Sequence, residues 1–240
     1  MCSNIQVASE RSEPYVHIEP GIVEGPKIIL SYVTATGAGL YAVALAAKLV
    51  KERGLGALAL RVLATTALVF TFFEVLPHYP VGISEVHLIL GSTLFLIFGA
   101  GPAAMGLAAG LLLQGLFFAP FDLPQYGMNV TTLLVPLFAL QFVASKVIAP
   151  ATPYVELKYR QALALSTTYQ AGIVTWVAFW ALYGEGFAVS TVADIAAFGA
   201  AYMLVIVVEP LADLAVLAAA KGMYRLANSP MLEQRLFNPA

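Results

Sequence analysis

A long uncharged stretch, from Leu88 to Phe121, constrains this chain more than any other feature of its sequence. An ionised side chain is costly in hydrocarbon, so such a stretch, in a chain that is 60% hydrophobic and 11% charged, predicts lipid as its surroundings. About 20 residues span a bilayer core, so the stretch is too long for one crossing. Gly99, Gly101 and Pro102 predict a turn that divides it into two helices. The sequence therefore predicts an all-α integral membrane protein.

Hydropathy and helix breakers along the whole chain predict a bundle of seven transmembrane helices. Their expected ranges are Lys27–Leu49, Leu55–Leu76, Ser84–Phe98, Pro102–Phe118, Val130–Ile148, Ala162–Tyr183 and Val192–Ala220. We expect Arg61, in the second helix, to extend its long stem toward the lipid headgroups. Pro210 predicts a kink in the seventh helix.

The basic residues are unevenly distributed between the two sides of such a bundle. One side would hold Lys48, Lys51, Arg53, Arg61, Lys146, Lys158, Arg160, Lys221, Arg225 and Arg235. The other side would hold Arg11 and Lys27. The positive-inside rule therefore predicts an amino terminus outside and a cytoplasmic carboxyl terminus. A net charge of −2 without a basic cluster argues against a nucleic-acid partner.

All three histidines, His17, His78 and His87, fall on the outer side in this topology. Neutral imidazole is the commonest metal ligand, so this grouping favours a cation site. Chance placement in interfacial loops is the alternative, and we interpret His78 as an interfacial residue or a guide for incoming metal. The one cysteine, Cys2, excludes a Cys-x-x-Cys metal site.

Several short motifs occur in a fixed order in the first half of the chain. They occupy residues 16–21, 82–91, 101–104, 113–118 and 127–129. This series resembles the CbiM/NikM family, the cobalt/nickel substrate-capture components of energy-coupling factor transporters. That family has a Met-His-Ile start, a Gly-x-Ser-x-His-Leu-Leu-Gly stretch, a Gly-Pro turn and a later Gly-x-Asn. The likeness covers residues 16–130, while residues 131–240 agree in hydropathy and span count.

The resemblance implies a metal site at the outer face. In the family, the terminal amine, the next backbone nitrogen, an imidazole and a histidine of the third helix bind Ni²⁺ or Co²⁺. By position, His17 would be the chelating imidazole and His87 the fourth ligand. A planar, nitrogen-rich set suits nickel well.

The start of this chain departs from the family pattern, because sixteen residues precede His17. Val16 stands where the family has its initiator methionine. We hypothesise that translation starts at Val16 from a GTG codon and that residues 1–15 are a polar extension outside the native chain. Residues 16–240 would then form a single transmembrane metal-capture domain. If the extension is present, Glu19, Glu85 or water would replace the amine and amide, which favours cobalt.

Gln114 and Asn129 match family positions, and we expect them to hold the ligand loop by hydrogen bonds or to link helices within the bundle. Asp122 is interpreted as a solvated loop carboxylate. The resemblance also implies a contact with the transmembrane coupling subunit through an alanine stripe on the first helix. An internal packing seam is the alternative for these residues, which are Ala38, Ala42 and Ala46.

Two ionisable residues, Glu209 and Asp213, lie in the last predicted helix. We interpret Glu209 as structural, near the Pro210 kink, with a relay of cations or protons as the alternative. Interfacial solvation near the cytoplasmic end would explain Asp213.

The chain has no Gly-x-x-x-x-Gly-Lys-Ser/Thr loop, so we predict a transport component without its own ATPase site and without a cofactor. The resemblance implies a transmembrane coupling subunit, two cytosolic ATPase subunits and a small accessory membrane subunit as partners, in a bacterial inner membrane. The transported ligand would be Ni²⁺ or Co²⁺. A stand-alone secondary divalent-metal permease and a structural membrane subunit are the alternatives.

Overall fold

The structure, a computed structural model, describes residue 18, residues 21–223 and residues 229–238. Six α-helices and one β-hairpin form the framework of this part of the chain. They are α1 (Ile28–Glu74), β1 (Tyr79–Val81), β2 (Ser84–Val86), α2 (Gly91–Phe98), α3 (Ala100–Phe117), α4 (Tyr126–Val147), α5 (Tyr159–Glu185) and α6 (Val189–Gly222). Short 3-10 turns lie at Gly25–Lys27, Pro120–Gln125, Tyr154–Glu156 and Gln234–Leu236.

Four stretches of the described residues are long and apolar enough to cross a membrane. They are Gly25–Glu74, Ala100–Phe117, Pro120–Val147 and Val189–Gly222. Large apolar side chains on the outer faces of α1 and α6 are exposed, as expected of surfaces that face lipid. The protein is therefore an all-α, multi-pass membrane protein.

The long helix α1 is interrupted at Gly54, whose φ of 83° lies in the left-handed region that favours glycine. Residues on both sides of the interruption contact the beginning of α3. Ala46 lies where a side chain on Gly101 would point, and the Thr65 hydroxyl donates to the Pro102 carbonyl at 3.0 Å. The chain therefore turns back at Gly54, and the predicted helices Lys27–Leu49 and Leu55–Leu76 lie on either side of it.

Small residues allow α1 and α3 to approach closely. Gly106 of α3 faces Thr65, and Gly110 faces Val69, with no room for a side chain at either glycine. Ala38, Ala42 and Ala46 of α1 are also buried within the chain. Small residues favour such contacts between membrane helices because they let the backbones come together. The alanine stripe is thus part of an internal packing seam, and its contact with a coupling subunit stays a prediction.

The predicted third helix, Ser84–Phe98, is wrong over its first half. Ser84–Val86 pairs with Tyr79–Val81 in an antiparallel hairpin, and α2 begins only at Gly91. The two-residue loop has Gly82 at a φ of 62°, and Leu90, at a φ of 53°, also stops a helix from starting earlier. With eight residues, α2 is about 12 Å long, well short of a bilayer core.

The other predicted boundaries agree better with the structure. The chain breaks at Gly99, whose φ is 88°, and α3 follows at once, as predicted from the glycines and Pro102. The helices α4, α5 and α6 correspond to the last three predicted spans and each begins three or four residues earlier. Helix α6 continues through Pro210. The count of seven spans and the orientation of the termini stay predictions.

Arg61 does not extend toward the lipid headgroups, as we expected, because its side chain is 1% exposed. It donates to the carbonyls of Phe98 and Pro230 at 3.0 and 2.9 Å, and also to that of Leu232. It forms an ion pair of 3.2 Å with Glu233. The guanidinium group therefore fastens residues 229–238 to the junction between α2 and α3.

Candidate metal site

The hairpin carries His87 into the interior of the bundle. Gly82 lies against the backbone of Asp194 at the start of α6, so the hairpin is pressed onto that helix. The chain then leaves β2, and residues 87–90 have no regular secondary structure before α2 begins. Packing against α6 thus places the imidazole of His87 among the membrane helices, where it is buried.

Two aromatic rings contact the imidazole of His87, and a third residue is hydrogen-bonded to its main chain. The ring of Phe73, from α1, contacts it edge-on at a centroid distance of 5.1 Å. The half-buried ring of His78 stacks on it at 5.2 Å. The hydroxyl of Tyr202, from α6, is hydrogen-bonded to the main chain of His87. The ring is therefore fixed by packing on both the hairpin and the helices, which is the pre-organisation that a metal ligand requires.

Glu85 lies next to His87 and is buried with it. Its Oε2 atom is 3.4 Å from Nε2 of His87. A carboxylate beside an imidazole can orient the ring or share a bound cation with it. The structure therefore brings together two of the predicted site residues, Glu85 and His87.

A cavity of about 20 Å³ adjoins these two side chains. This volume is enough for one water molecule or one ion of similar size. Asn129 of α4 contributes a further polar side chain, and its Oδ1 is buried with no hydrogen-bond partner among the described residues. Most of the remaining wall is apolar, and Ile18 forms part of it. The cavity thus offers nitrogen and oxygen donors inside an apolar shell.

The amino-terminal part of the predicted site lies outside the described residues. This applies to Val16, His17 and Glu19. Among the residues that the structure does describe, no group of three His, Cys, Asp or Glu side chains could hold a metal ion. The described part therefore supplies at most part of a complete ligand set.

Gln114 lines a second, smaller cavity of about 10 Å³. Asp122 and Asn129 share this cavity, so Asn129 lies between the two. Asp122 is 4% exposed, which corrects the interpretation of a solvated loop carboxylate. The reason is that Pro120–Gln125 forms a 3-10 turn that folds the residue inward against the end of α3. Sequence reasoning missed this burial because a single carboxylate between two prolines looks the same in either setting.

Sequence reasoning also missed the stacking of His78 on His87. The signal that could have found it is the pair Gly82-Ile83 between two short β-prone segments, which is typical of a two-residue hairpin. A hairpin folds Tyr79–Val81 back along Ser84–Val86 and so brings the residues just before and after it together.

The two carboxyl residues of the last helix are both fully buried. Glu209 and Asp213 point toward α2 and α5, where serine, threonine and glutamine side chains are hydrogen-bonded to them. Interfacial solvation therefore does not explain Asp213. This cluster is separate from the cavity beside His87.

A comparison with protein families gives one match. A family model described as the cobalt uptake substrate-specific transmembrane region matches residues 17–225. No curated protein and no solved structure matches the chain at a significant level. The family match includes His17, His87 and all six helices described above, and it extends well beyond the short motifs, which end at residue 129. The chain therefore belongs to the CbiM family, the substrate-specific transmembrane region of cobalt uptake.

Proposed function

We propose that the cavity beside His87 captures a single Co²⁺ or Ni²⁺ ion, with His17 and His87 as imidazole ligands. The observation that carries this proposal is the position of Ile18. Its side chain is buried in the wall of the same cavity as His87, and adjacent Cα atoms are only about 3.8 Å apart. A histidine at position 17 is therefore attached to a residue that is already at the site.

The surroundings of His87 support a borderline divalent cation as the ligand. Imidazole nitrogen suits Co²⁺ and Ni²⁺, and the carboxylate of Glu85 would compensate part of the positive charge in an apolar shell. The amide oxygen of Asn129, which has no partner among the described residues, would complete or orient the set. Gln114, next to Asn129, would support it from the neighbouring cavity.

The metal titration of purified protein tests this site. We expect His87→Ala to lower the affinity for Co²⁺ and Ni²⁺ by more than about 100-fold, beyond the range typical of an outer-shell change. Glu85→Gln should lower it by about 10- to 100-fold. Glu156→Gln, which removes an exposed carboxylate that does not line the cavity, is the matched control. Unchanged titration curves for His87→Ala in a folded protein would contradict the proposal.

The start of the native chain decides between two ligand sets. If translation begins at Val16, a terminal amine lies beside His17 and the nitrogen-rich set favours Ni²⁺. If residues 1–15 are present, Glu19, Glu85 or water replaces the amine and amide, and Co²⁺ is favoured. Terminal sequencing of the native protein, followed by titration with and without residues 1–15, distinguishes these cases.

We further propose that the captured ion is taken up through an energy-coupling module. A transmembrane coupling subunit, two cytosolic ATPase subunits and a small accessory membrane subunit would be the partners, because the chain has no P-loop of its own. Metal uptake into cells should require the ATPase subunits. Uptake that persists without them would instead favour a stand-alone secondary permease.

A further inference from the structure

A buried acidic cluster joins α2, α5 and α6. Glu209 and Asp213 lie one turn apart on α6, and each is 0% exposed. The ion pairs among the described residues, Lys48–Glu52, Arg61–Glu233 and His87–Glu85, leave both of them out. Two ionised carboxylates without a counterion are costly in such surroundings.

Glu209 accepts hydrogen bonds at both of its oxygens. Ser166 and the amide of Gln170, both from α5, donate to Oε2 at 2.7 Å each. Ser92, from α2, lies 3.0 Å from Oε1. The carboxyl group of Glu209 therefore connects three helices.

Asp213 shares one of these partners with Glu209. Its Oδ2 lies 2.7 Å from the same Ser92 hydroxyl, and Thr93 donates to its Oδ1. The Ser92 hydroxyl thus lies between the two carboxyl groups, within hydrogen-bond distance of each.

The neighbouring side chains supply too few donor hydrogens for all of these contacts. A hydroxyl has one hydrogen, so Ser92, Thr93 and Ser166 supply three, and the Gln170 amide supplies a fourth. The contacts number five, because Ser92 faces both carboxyl groups. One more hydrogen, on a carboxyl oxygen, completes the set: that carboxyl donates to Ser92, and Ser92 donates to the other carboxylate.

A second, independent observation indicates the same shortage of hydrogens. The Oε1 atom of Gln170 is buried and has no hydrogen-bond partner among the described residues, although the amide group of this fully buried side chain contacts Glu209. The hydroxyl of Tyr169 is also buried without such a partner, and it is close enough to Glu209 to interact with it electrostatically. The Gln170 oxygen is an acceptor that no described hydrogen satisfies, whereas the Tyr169 hydroxyl carries a hydrogen of its own and does not add to the shortage.

We propose that Glu209 and Asp213 form a proton-binding site within the membrane helices, in which the two carboxyl groups hold one proton between them. This site is separate from the metal cavity, and the proposal does not depend on metal capture. The proton comes from water and rests on one of the two carboxyl oxygens that face Ser92. Its binding leaves the pair with one negative charge, which the hydrogen bonds from Thr93, Ser166 and Gln170 stabilise.

Few other titratable groups face this pair. Tyr169 faces it from α5 and Tyr202 from α6, and both are neutral phenols at physiological pH. The described α2 contributes Ser92 and Thr93 but no titratable side chain. Loss of the proton would leave two adjacent carboxylates, and the single hydrogen of the Ser92 hydroxyl could bond only one of them. The contact between α2 and α6 would therefore weaken.

Infrared spectroscopy of the purified full-length protein at neutral pH tests the proposal. We expect a carbonyl band of a protonated carboxylic acid that shifts on transfer to D₂O. Asp213→Asn and Glu209→Gln should each remove it, because an amide hydrogen can then replace the shared proton at Ser92. Glu156→Gln, at an exposed carboxylate, should leave the band unchanged.

Two results would overturn the proposal. One is a wild-type spectrum without a protonated-carboxyl band at neutral pH, and the other is a band that persists in a folded Asp213→Asn or Glu209→Gln variant. Thermal unfolding gives a second test. The proton stabilises the folded state, so raising the pH should lower the unfolding temperature of the wild type more than that of Asp213→Asn, and equal pH dependence of the two would count against the site.

Discussion

Arg61 offers the sharpest test of how this bundle is held together. Its guanidinium group is buried and makes contacts with four residues, of which three belong to the carboxyl-terminal segment 229–238. The perturbation we consider is Arg61→Ala, which removes the donor fork and leaves every one of these acceptors in place.

The size of the effect follows from the contacts. Breaking a buried ion pair by removing one partner costs about 3–5 kcal/mol. The side chain of Glu233 is 28% exposed, so water can solvate part of its charge, and the lower end of this range applies. The buried carbonyl of Phe98 also loses its donor. We therefore expect a loss of about 3 kcal/mol in the free energy of unfolding, or roughly 6–12 °C in unfolding temperature for a chain of this size.

Thermal unfolding in detergent and limited trypsin digestion together measure this effect. In the wild type, Arg235 donates to the carbonyls of Ile148 and Ala149 at 3.3 and 3.0 Å and lies over the ring of Tyr154. Release of the segment in Arg61→Ala should make cleavage after Arg235 faster.

Two further variants complete this test. The first distinguishes the planar donor group of Arg61 from its positive charge, and the second is a control. Arg61→Lys keeps the charge without the planar donor fork, so its loss of stability should be intermediate. Arg160→Ala removes an exposed arginine and should leave both readouts unchanged. If Arg61→Ala unfolds at the wild-type temperature and Arg235 stays protected, the anchoring role is refuted.

Three other predictions follow from packing and titration. Gly106→Leu forces a side chain against Thr65 and should cost about 1–3 kcal/mol in thermal unfolding, whereas Gly37→Ala, which meets open space, should be neutral or slightly stabilising; equal losses would contradict this packing. Burial raises the pKa of the Tyr154 hydroxyl, which lies outside the membrane helices. The stability that Tyr154 contributes is therefore complete below the ordinary tyrosine pKa of about 10 and is lost as the pH rises through the higher folded value, so Tyr154→Phe should show a smaller alkaline loss of unfolding temperature than the wild type. His87→Ala should lower the unfolding temperature gained on adding Co²⁺, and an undiminished metal-induced shift would argue against His87 as a ligand.

Hydropathy located most helices because it responds to what lipid demands, namely long apolar stretches. Gly54 and Gly99 ended helices as their backbone freedom predicts, and both have positive φ in the structure. The stretch Ser84–Phe98 misled the prediction because the strand Ser84–Val86 is short and mostly buried by tertiary contacts, so nothing in its hydropathy separates it from the apolar helix that follows. The local hydropathy of a segment indicates whether lipid surrounds it, but not which other segments of the chain it contacts.

The residues of the site also divide into those that the sequence predicted and those that depend on tertiary contacts. The family resemblance predicts His87 as a ligand and Glu85 as a replacement ligand, and the structure places their side chains next to each other, while their role in metal binding stays a prediction. The burial of Asp213 could not be predicted, because it depends on the side chains of α2 that are hydrogen-bonded to its carboxyl group. Arg61 was misplaced for a similar reason, since its partners lie at Phe98 and in the carboxyl-terminal segment, far away in sequence.

The eight-residue α2 has one more consequence, for the order of events at His87. Because the helix is short, the irregular residues 87–90 occupy depth that a spanning helix would otherwise fill, and the imidazole lies beneath the protein surface. At the proposed site, an arriving cation would have to shed most of its hydration shell before it meets that nitrogen. Discrimination between ions would then begin with the energy of dehydration, before the geometry of the ligands is felt.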